Sequence, residues 1–311
     1  MSISPQISLQ LRTFSDDPGH DWNATLALGR AMDVAGVDRV VVSDHIAFGE
    51  NPDAYANPAL GGTAGGRQPT GPDGQWLDPL TVLTALAATT DRIRLGTAVL
   101  LAALRRPVVL AKQVSTLDVL SGGRVDLGVG VGWQREEYEA AGLPFEGRGK
   151  LLDHTLEVCT ALWTRQRSSY RSPELSFDNI HQMPKPVQDG GVPIWVSGTV
   201  NKAVARRLSR FGSGWIPWGP AVSDPAGAIA TMKDAIAELG GDPGGLQVLG
   251  HATTVKRPDR SIDLAATAAS AIPLVAAGVT DVRVTMSLPR DTGQAADVLS
   301  ELVAEFRSAM N

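Results

Sequence analysis

Residues 92–133, RIRLGTAVLLAALRRPVVLAKQVSTLDVLSGGRVDLGVGVGW, decide the fold. The apolar run Ile93–Leu100 is followed by two arginines and Pro107. Val108–Leu120 then places apolar residues at helical spacing, and after Ser121-Gly122-Gly123 a second apolar run covers Val125–Val131. Strands apolar on both faces and joined by a helix read as a parallel strand–helix–strand unit buried under helices. The same alternation extends outward in both directions. Further strand-like runs are Ile7–Leu11, Arg39–Ser43, Pro193–Ser197, Gly214–Pro217, Leu246–Val255 and Val279–Met286. Helical periodicity marks Thr25–Ala35, Leu151–Trp163, Lys202–Phe211 and Ala228–Leu239. Asp78-Pro79 reads as a helix start and Gly36 as a helix stop. Eight such units predict an α/β fold, a single (β/α)8 TIM barrel over 1–311, with a doubly wound open sheet as the alternative. Two insertions stand out: 49–75 after strand two and 166–191 before strand five. Each reads as a lid or as a surface loop.

Composition narrows the function. The net charge is −5, with no Lys/Arg block, which argues against a nucleic-acid partner. The lone Cys159 cannot close an internal disulfide. The start, MSISPQISLQLRTF, lacks the basic and apolar regions of a signal peptide, and no window reaches 18 apolar residues. The expected location is therefore the cytoplasm, away from membranes.

In a barrel the chemistry gathers where strands end at the C-terminal face. Strand two stops at Ser43-Asp44-His45, so His45 is expected to face the cavity and Asp44 to anchor the loop, with a turn and a surface histidine as the plainer alternative. Gly96-Thr97-Ala98 interrupts strand three and signals a bulge, with or without a ligand against it. Arg105 and Arg106 follow, able to meet an anion or simply solvated. Gly128, Gly130 and Gly132 alternate and leave one face of strand four bare, for a flat ligand or for neighbouring side chains. Ser197-Gly198-Thr199 precedes a helix and offers hydroxyls and free N–H groups as an anion cradle, or only a cap. The five scattered histidines give no metal-ligand spacing, so no metal is expected. No nucleophile elbow or Walker A motif occurs, and Lys256 is a weak Schiff-base candidate.

Taken in order and spacing, AGVDRVVVSDH, the segment Arg92–Gly142 and VPIWVSGT resemble the bacterial luciferase-like superfamily, in its deazaflavin-dependent branch. The resemblance covers nearly the whole chain. It implies a planar ring held in the C-terminal mouth, a non-proline cis peptide behind it near Ala98–Val99, and a phosphate tail at Ser197–Thr199. It matches His45 to the histidine beside the ring, accompanied by Asp44, which makes these two the catalytic residues, His45 as general acid/base or oxyanion donor, and it makes Thr97, Ala98, Val99, Gly130, Ser197, Gly198 and Thr199 the cofactor-binding set. The Ser-Asp-His form points to coenzyme F420 (8-hydroxy-5-deazaflavin), with flavin mononucleotide (FMN) as the alternative. The sugar-phosphate dehydrogenases of that branch carry an acidic residue where this chain has Trp133 and a tryptophan where it has Gly49. Sugar phosphates are thus disfavoured. Glu136 and Glu137 read as solvated residues on a short helix. The implied activity is an F420-dependent oxidoreductase, a homodimer acting on a small organic substrate. An FMN monooxygenase fed by a reductase and a cofactor-binding protein without turnover are the alternatives.

Overall fold

The computed structural model describes residues 4–311. The signal-peptide reading falls partly on Met1–Ile3, outside the described residues. Eight strands form the centre: β1 Gln6–Gln10, β2 Arg39–Val42, β3 Arg94–Thr97, β4 Val125–Val129, β5 Ile194–Gly198, β6 Gly212–Pro217, β7 Gln247–His251 and β8 Asp281–Val284. They pair in chain order, and β8 closes onto β1 in parallel, from Gln6 opposite Asp281 to Leu9 opposite Val284. That closure establishes the (β/α)8 barrel and removes the open sheet.

The alternation of side chains explains why these runs became strands. Ile7, Leu9, Val40, Val42, Leu95, Leu127 and Val282 are buried in one continuous core with helix residues such as Leu86, Leu110 and Leu299. The intervening residues face the lumen, and near its N-terminal end they are charged. Arg39 pairs with Asp126 and with Asp281, Arg94 pairs with Asp126, and Ser8 donates its hydroxyl hydrogen to Asp281. Burial opposes the Asp126 charge, but Arg39 and Arg94 outweigh it and hold the carboxyl below the usual carboxylate range. Removing one member of such a buried pair costs about 3–5 kcal/mol, because the other charge stays behind.

The helices are α1 Trp22–Val34, α2 Pro79–Ala87, α3 Pro107–Leu120, α4 Arg135–Ala140, α5 Arg148–Thr164, α6 Lys202–Phe211, α7 Pro225–Glu238, α8 Leu264–Ala269, α9 Ile272–Ala276 and α10 Thr292–Met310. Asp21, Asp78, Asp224, Asp263 and Asp291 each accept a backbone N–H at a helix start. Each such cap contributes about 0.5–2 kcal/mol. Gly36, at φ +84°, ends α1 as its sequence predicts. Among the described residues no helix is long and apolar enough to cross a membrane.

The two insertions diverge. Residues 166–191 are not a lid. They form an antiparallel hairpin, Ser168–Arg171 with Ser176–Ile180, and then run along α3 and α5 to the start of β5. Gln188 ends that run at the N-terminal side of the barrel, bonded to Asp118 and to the Val125 carbonyl. A segment that feeds a strand has to approach that strand's N-terminal end, opposite the mouth. Residues 49–75, leaving β2, do lie over the mouth.

Candidate active site

Strand three is broken where the sequence places a bulge. After Thr97 the Ala98–Val99 peptide is cis, and the ladder resumes with the Leu100 N–H donating to the Gly128 carbonyl at 2.7 Å. The Ser43 hydroxyl donates to the Ala98 carbonyl at 3.3 Å and accepts from the Gln10 amide at 2.7 Å. Ala98 and Val99 are half-exposed although a buried strand leads into them. They present a flat step to the open end of the barrel.

The glycines of strand four are shaped by that step. A Cβ on Gly128 would meet the Thr97 carbonyl oxygen at 1.9 Å, and one on Gly130 would meet Val99 Cγ2 at 2.6 Å. Side chains and backbone of strand three therefore occupy the bare face, and no ligand is needed to explain it. Gly132 lies beyond the strand, at φ +70°, so the three glycines do not share one strand face. Thr97 is buried, its hydroxyl donating to the Gly128 carbonyl at 2.7 Å. Thr97 and Gly130 thus support the step from behind, and Ala98 and Val99 present it.

Asp44 and His45 separate. Asp44 turns into the wall, where its carboxylate accepts from the Leu101 N–H at 2.8 Å and from both Arg105 Nη groups at 2.6 and 3.1 Å. Arg105 Nη2 also donates to Asp78, the cap of α2, at 2.9 Å. Burial works against the Arg105 charge, yet Asp44 and Asp78 raise its pKa above the ordinary value. Burial pushes the Asp44 carboxyl up, against the pull of Arg105 and Leu101. Asp44 and Arg105 are thus loop anchors: the Asp44 carboxylate is buried in the wall and not placed for the catalytic role named for it, and Arg105 departs from the solvated and anion-binding readings.

His45 sits at the rim inside an aromatic box. Its ring lies 4.4 Å from Phe48, 4.8 Å from Trp76 and 6.0 Å from Trp133, centroid to centroid, the last two edge-on. Nδ1 is 3.3 Å from Glu137 Oε2, and Glu137 Oε1 accepts from the Ile46 N–H at 2.5 Å. Glu137 is 1 % exposed, which corrects its reading as a solvated helix residue. Glu136 is the exposed one, its methylenes lying against Gly49. A carboxylate oxygen facing Nδ1 favours the tautomer that donates from that nitrogen, which leaves Nε2 as the atom open to a substrate. Where the resemblance expects a tryptophan, Gly49 packs against the Glu136 side chain, and Trp76 and Trp133 supply the indoles.

The segment 49–75 covers this box. The Leu60 carbonyl accepts from Arg148 at 2.8 Å, and the Gly62 carbonyl accepts from the Trp218 indole at 3.1 Å. Tyr55 edges onto Trp133 and Trp218. Gln75 and Trp76 pair with Ser15 and Phe14, past the end of β1. Hence the segment crosses the mouth as a tied strap.

On the far side, Ser197, Gly198 and Thr199 are half-exposed where β5 turns into α6. Two of the helix N–H groups expected to be free there are capped instead. The Asn201 side chain accepts from Ala203 N and Val204 N and donates to the Thr199 hydroxyl. Any phosphate at this turn would meet the hydroxyls of Ser197 and Thr199 and the Ser197–Val200 backbone. A flat ring against the Ala98–Val99 step with its tail at this turn fits the residues present. Among the described residues no His, Cys, Asp and Glu cluster could hold a metal ion.

Comparison with known proteins agrees with this architecture. An uncharacterized protein of Mycobacterium bovis, Mb0978c, is 37 % identical over 168 residues, 53 % of this chain and 58 % of its own length. An F420-dependent secondary alcohol dehydrogenase, solved with an F420–acetone adduct, superposes with a TM-score of 0.74 at 17 % identity, over 98 % of this chain and 99 % of the other. The oxygenating constituent of 3,6-diketocamphane monooxygenase of Pseudomonas putida, solved with FMN, gives 0.70 at 14 % identity, over 97 % and 98 %. These likenesses show the fold, which takes either cofactor in the proteins named. The model of the family described as luciferase-like monooxygenase matches residues 6–282, the barrel from its first strand into its last, and the chain belongs to that family.

Proposed function

We propose that this protein is an F420-dependent oxidoreductase acting on a small organic substrate. The observation that carries the reading is the pairing of His45 with buried Glu137 beside the Ala98–Val99 step. Bound F420 supplies a hydride-exchanging ring carbon. Ala98 and Val99 back the ring, braced by Thr97 and Gly130, while Ser197, Gly198 and Thr199 hold the tail. His45 Nε2 gives or takes the proton on the substrate oxygen, with Glu137 fixing its tautomer. Such proton transfer contributes about 10²–10⁴-fold. The aromatic box and the strap keep water from the reacting atoms.

The second reading is an FMN monooxygenase, favoured by Trp133 standing where the sugar-phosphate dehydrogenases carry an acid. Anaerobic titration with F420 and with FMN, followed by fluorescence quenching, separates the two. We expect F420 to bind at least ~10-fold more tightly, about 1.4 kcal/mol. Tighter FMN binding, with oxygen consumed alongside substrate, would overturn the proposal.

A further inference from the structure

The charges inside the barrel do not balance. Within the lumen three guanidiniums, Arg39, Arg94 and Arg283, face two carboxylates, Asp126 and Asp281. Asp126 is taken by Arg39 and Arg94, and Asp281 by Arg39 and Ser8. Arg283 is left over. It follows Asp281 by two residues on β8, so its side chain leaves the strand on the same, lumenal side, one step nearer the mouth. It is 7 % exposed, and its Nε is buried without a partner. Among the described residues no acidic group lies within ion-pair distance of it. Burial and the Arg39 cation push the guanidinium down, to about 9, which leaves it charged at neutral pH.

Its surroundings are donor-rich. His251 is its register partner on β7, and Ser8 its register partner on β1. His251 keeps an open face toward the mouth, yet burial and the Arg283 charge push it down to about 4, so it is neutral at pH 7. Deeper in the lumen the Trp195 indole N–H is also buried and unpaired, and Arg39 covers that ring at 4.5 Å. A buried, unmatched cation is costly unless something neutralises it. Departures of this kind concentrate at functional sites. Asp281, the nearest acid along the strand, is engaged by Ser8 and Arg39 and makes no ion pair with Arg283, so a matching negative charge has to arrive from outside.

We propose that Arg283 and His251, register neighbours on β8 and β7, form an anion-recognition subsite in the barrel lumen that takes the carboxylate of the substrate. The subsite stands on the lumenal geometry; that its occupant is the substrate rests on the reading under Proposed function. A carboxylate suits the planar fork of a guanidinium, which offers two parallel N–H donors. The substrate class is then a small carboxylic acid bearing a group that exchanges hydride, and neutral analogues bind poorly.

The test uses the whole chain without added cofactor. Calorimetric titration measures acetate and benzoate, each against its neutral amide, on the wild type, Arg283→Met and Arg283→Lys. Thermal unfolding of the same proteins without ligand is measured in parallel. We expect the acids to bind the wild type at least 10-fold more tightly than the amides. Arg283→Met should lose that preference and Arg283→Lys should keep part of it. The ligand-free Met variant should unfold ~2–4 °C higher, since an unpaired buried charge has been removed. Equal binding of acids and amides, no acid binding at all, or unchanged acid binding in Arg283→Met would overturn the proposal. So would a lower unfolding temperature in Arg283→Met, which would make Arg283 structural. A titration of the same variants with F420 forms the last arm. If Arg283→Met weakens F420 binding and leaves carboxylates unaffected, the charge serves the cofactor and the proposal fails. Because the carboxylate arm contains no F420, its failure is independent of whether F420 is the cofactor.

Discussion

Replacing Gly128 and Gly130 separately by alanine tests how the strand-three step is held. The added Cβ at Gly128 would lie 1.9 Å from the Thr97 carbonyl oxygen, a backbone atom locked between two strands. At Gly130 the obstacle is Val99 Cγ2 at 2.6 Å, the tip of a half-exposed side chain that can rotate toward the mouth. Overpacking costs about 1–3 kcal/mol, and the stiffer unfolded chain of an alanine variant returns about 0.4–1 kcal/mol. Gly128→Ala belongs at the top of that range, about 2–2.6 kcal/mol net, because backbone has to move. Gly130→Ala belongs at about 1 kcal/mol net. At roughly 2–4 °C per kcal/mol in a large domain, Tm falls by about 4–10 °C and about 2–4 °C. Circular dichroism melts measure both, and cofactor titration adds the functional side: Gly130→Ala should weaken ring binding more than its small Tm loss suggests, since Val99 is displaced into the ring's place. A Gly128→Ala melt within a degree of the wild type, or equal losses in the two variants, would refute the reasoning.

Asp44→Ala strands Arg105 beside the half-exposed Asp78; urea unfolding should show a loss of about 3–5 kcal/mol, and a loss below ~1 kcal/mol would show that the pair anchors nothing. Glu137→Gln keeps an oxygen for the Ile46 N–H but removes the charge beside His45 Nδ1; kcat should fall about 10–100-fold with an altered pH–rate profile and little change in melting, whereas an unaltered profile would remove Glu137 from catalysis. His251 has a folded-state pKa of about 4, below the ordinary histidine value near 6.5. Below pH 6.5 the unfolded chain takes a proton that the folded one refuses, so the stability tied to neutral His251 is complete above pH ~6.5 and declines as pH falls toward 4. His251→Gln should flatten that slope in urea unfolding at pH 7 and pH 5, and an unchanged slope would assign the acid sensitivity elsewhere.

Much of the barrel was legible because its strands are short apolar runs and its helices open on aspartates. Asp78-Pro79 and Gly36 mark helix ends by local chemistry alone, and both are where the string places them. The site was harder. Ser43, Asp44 and His45 are consecutive, yet one braces the cis step, one turns into the wall and one enters the box. No spacing rule states which does which once a strand has ended. Glu137 meets His45 across 92 residues of chain, and on a short helix it is indistinguishable by type from exposed Glu136. The available signal was the neighbouring Tyr138, which is buried with it. The strand-four glycines were recognised as unusual. What makes them necessary is the path of the adjacent strand, which periodicity does not report. Arg283 carried no signal at all, since an arginine on a strand acquires meaning only when every carboxylate around it has been accounted for.

The strap over the mouth takes no part in the ladders that close the barrel. It is tied to the rim by a few bonds at Leu60, Gly62, Gln75 and Trp76. Its composition can therefore change without unpicking the scaffold beneath, provided those ties are kept. Exchanging residues 49–75 among barrels of this kind is a route to new substrate preferences that leaves the redox machinery in place.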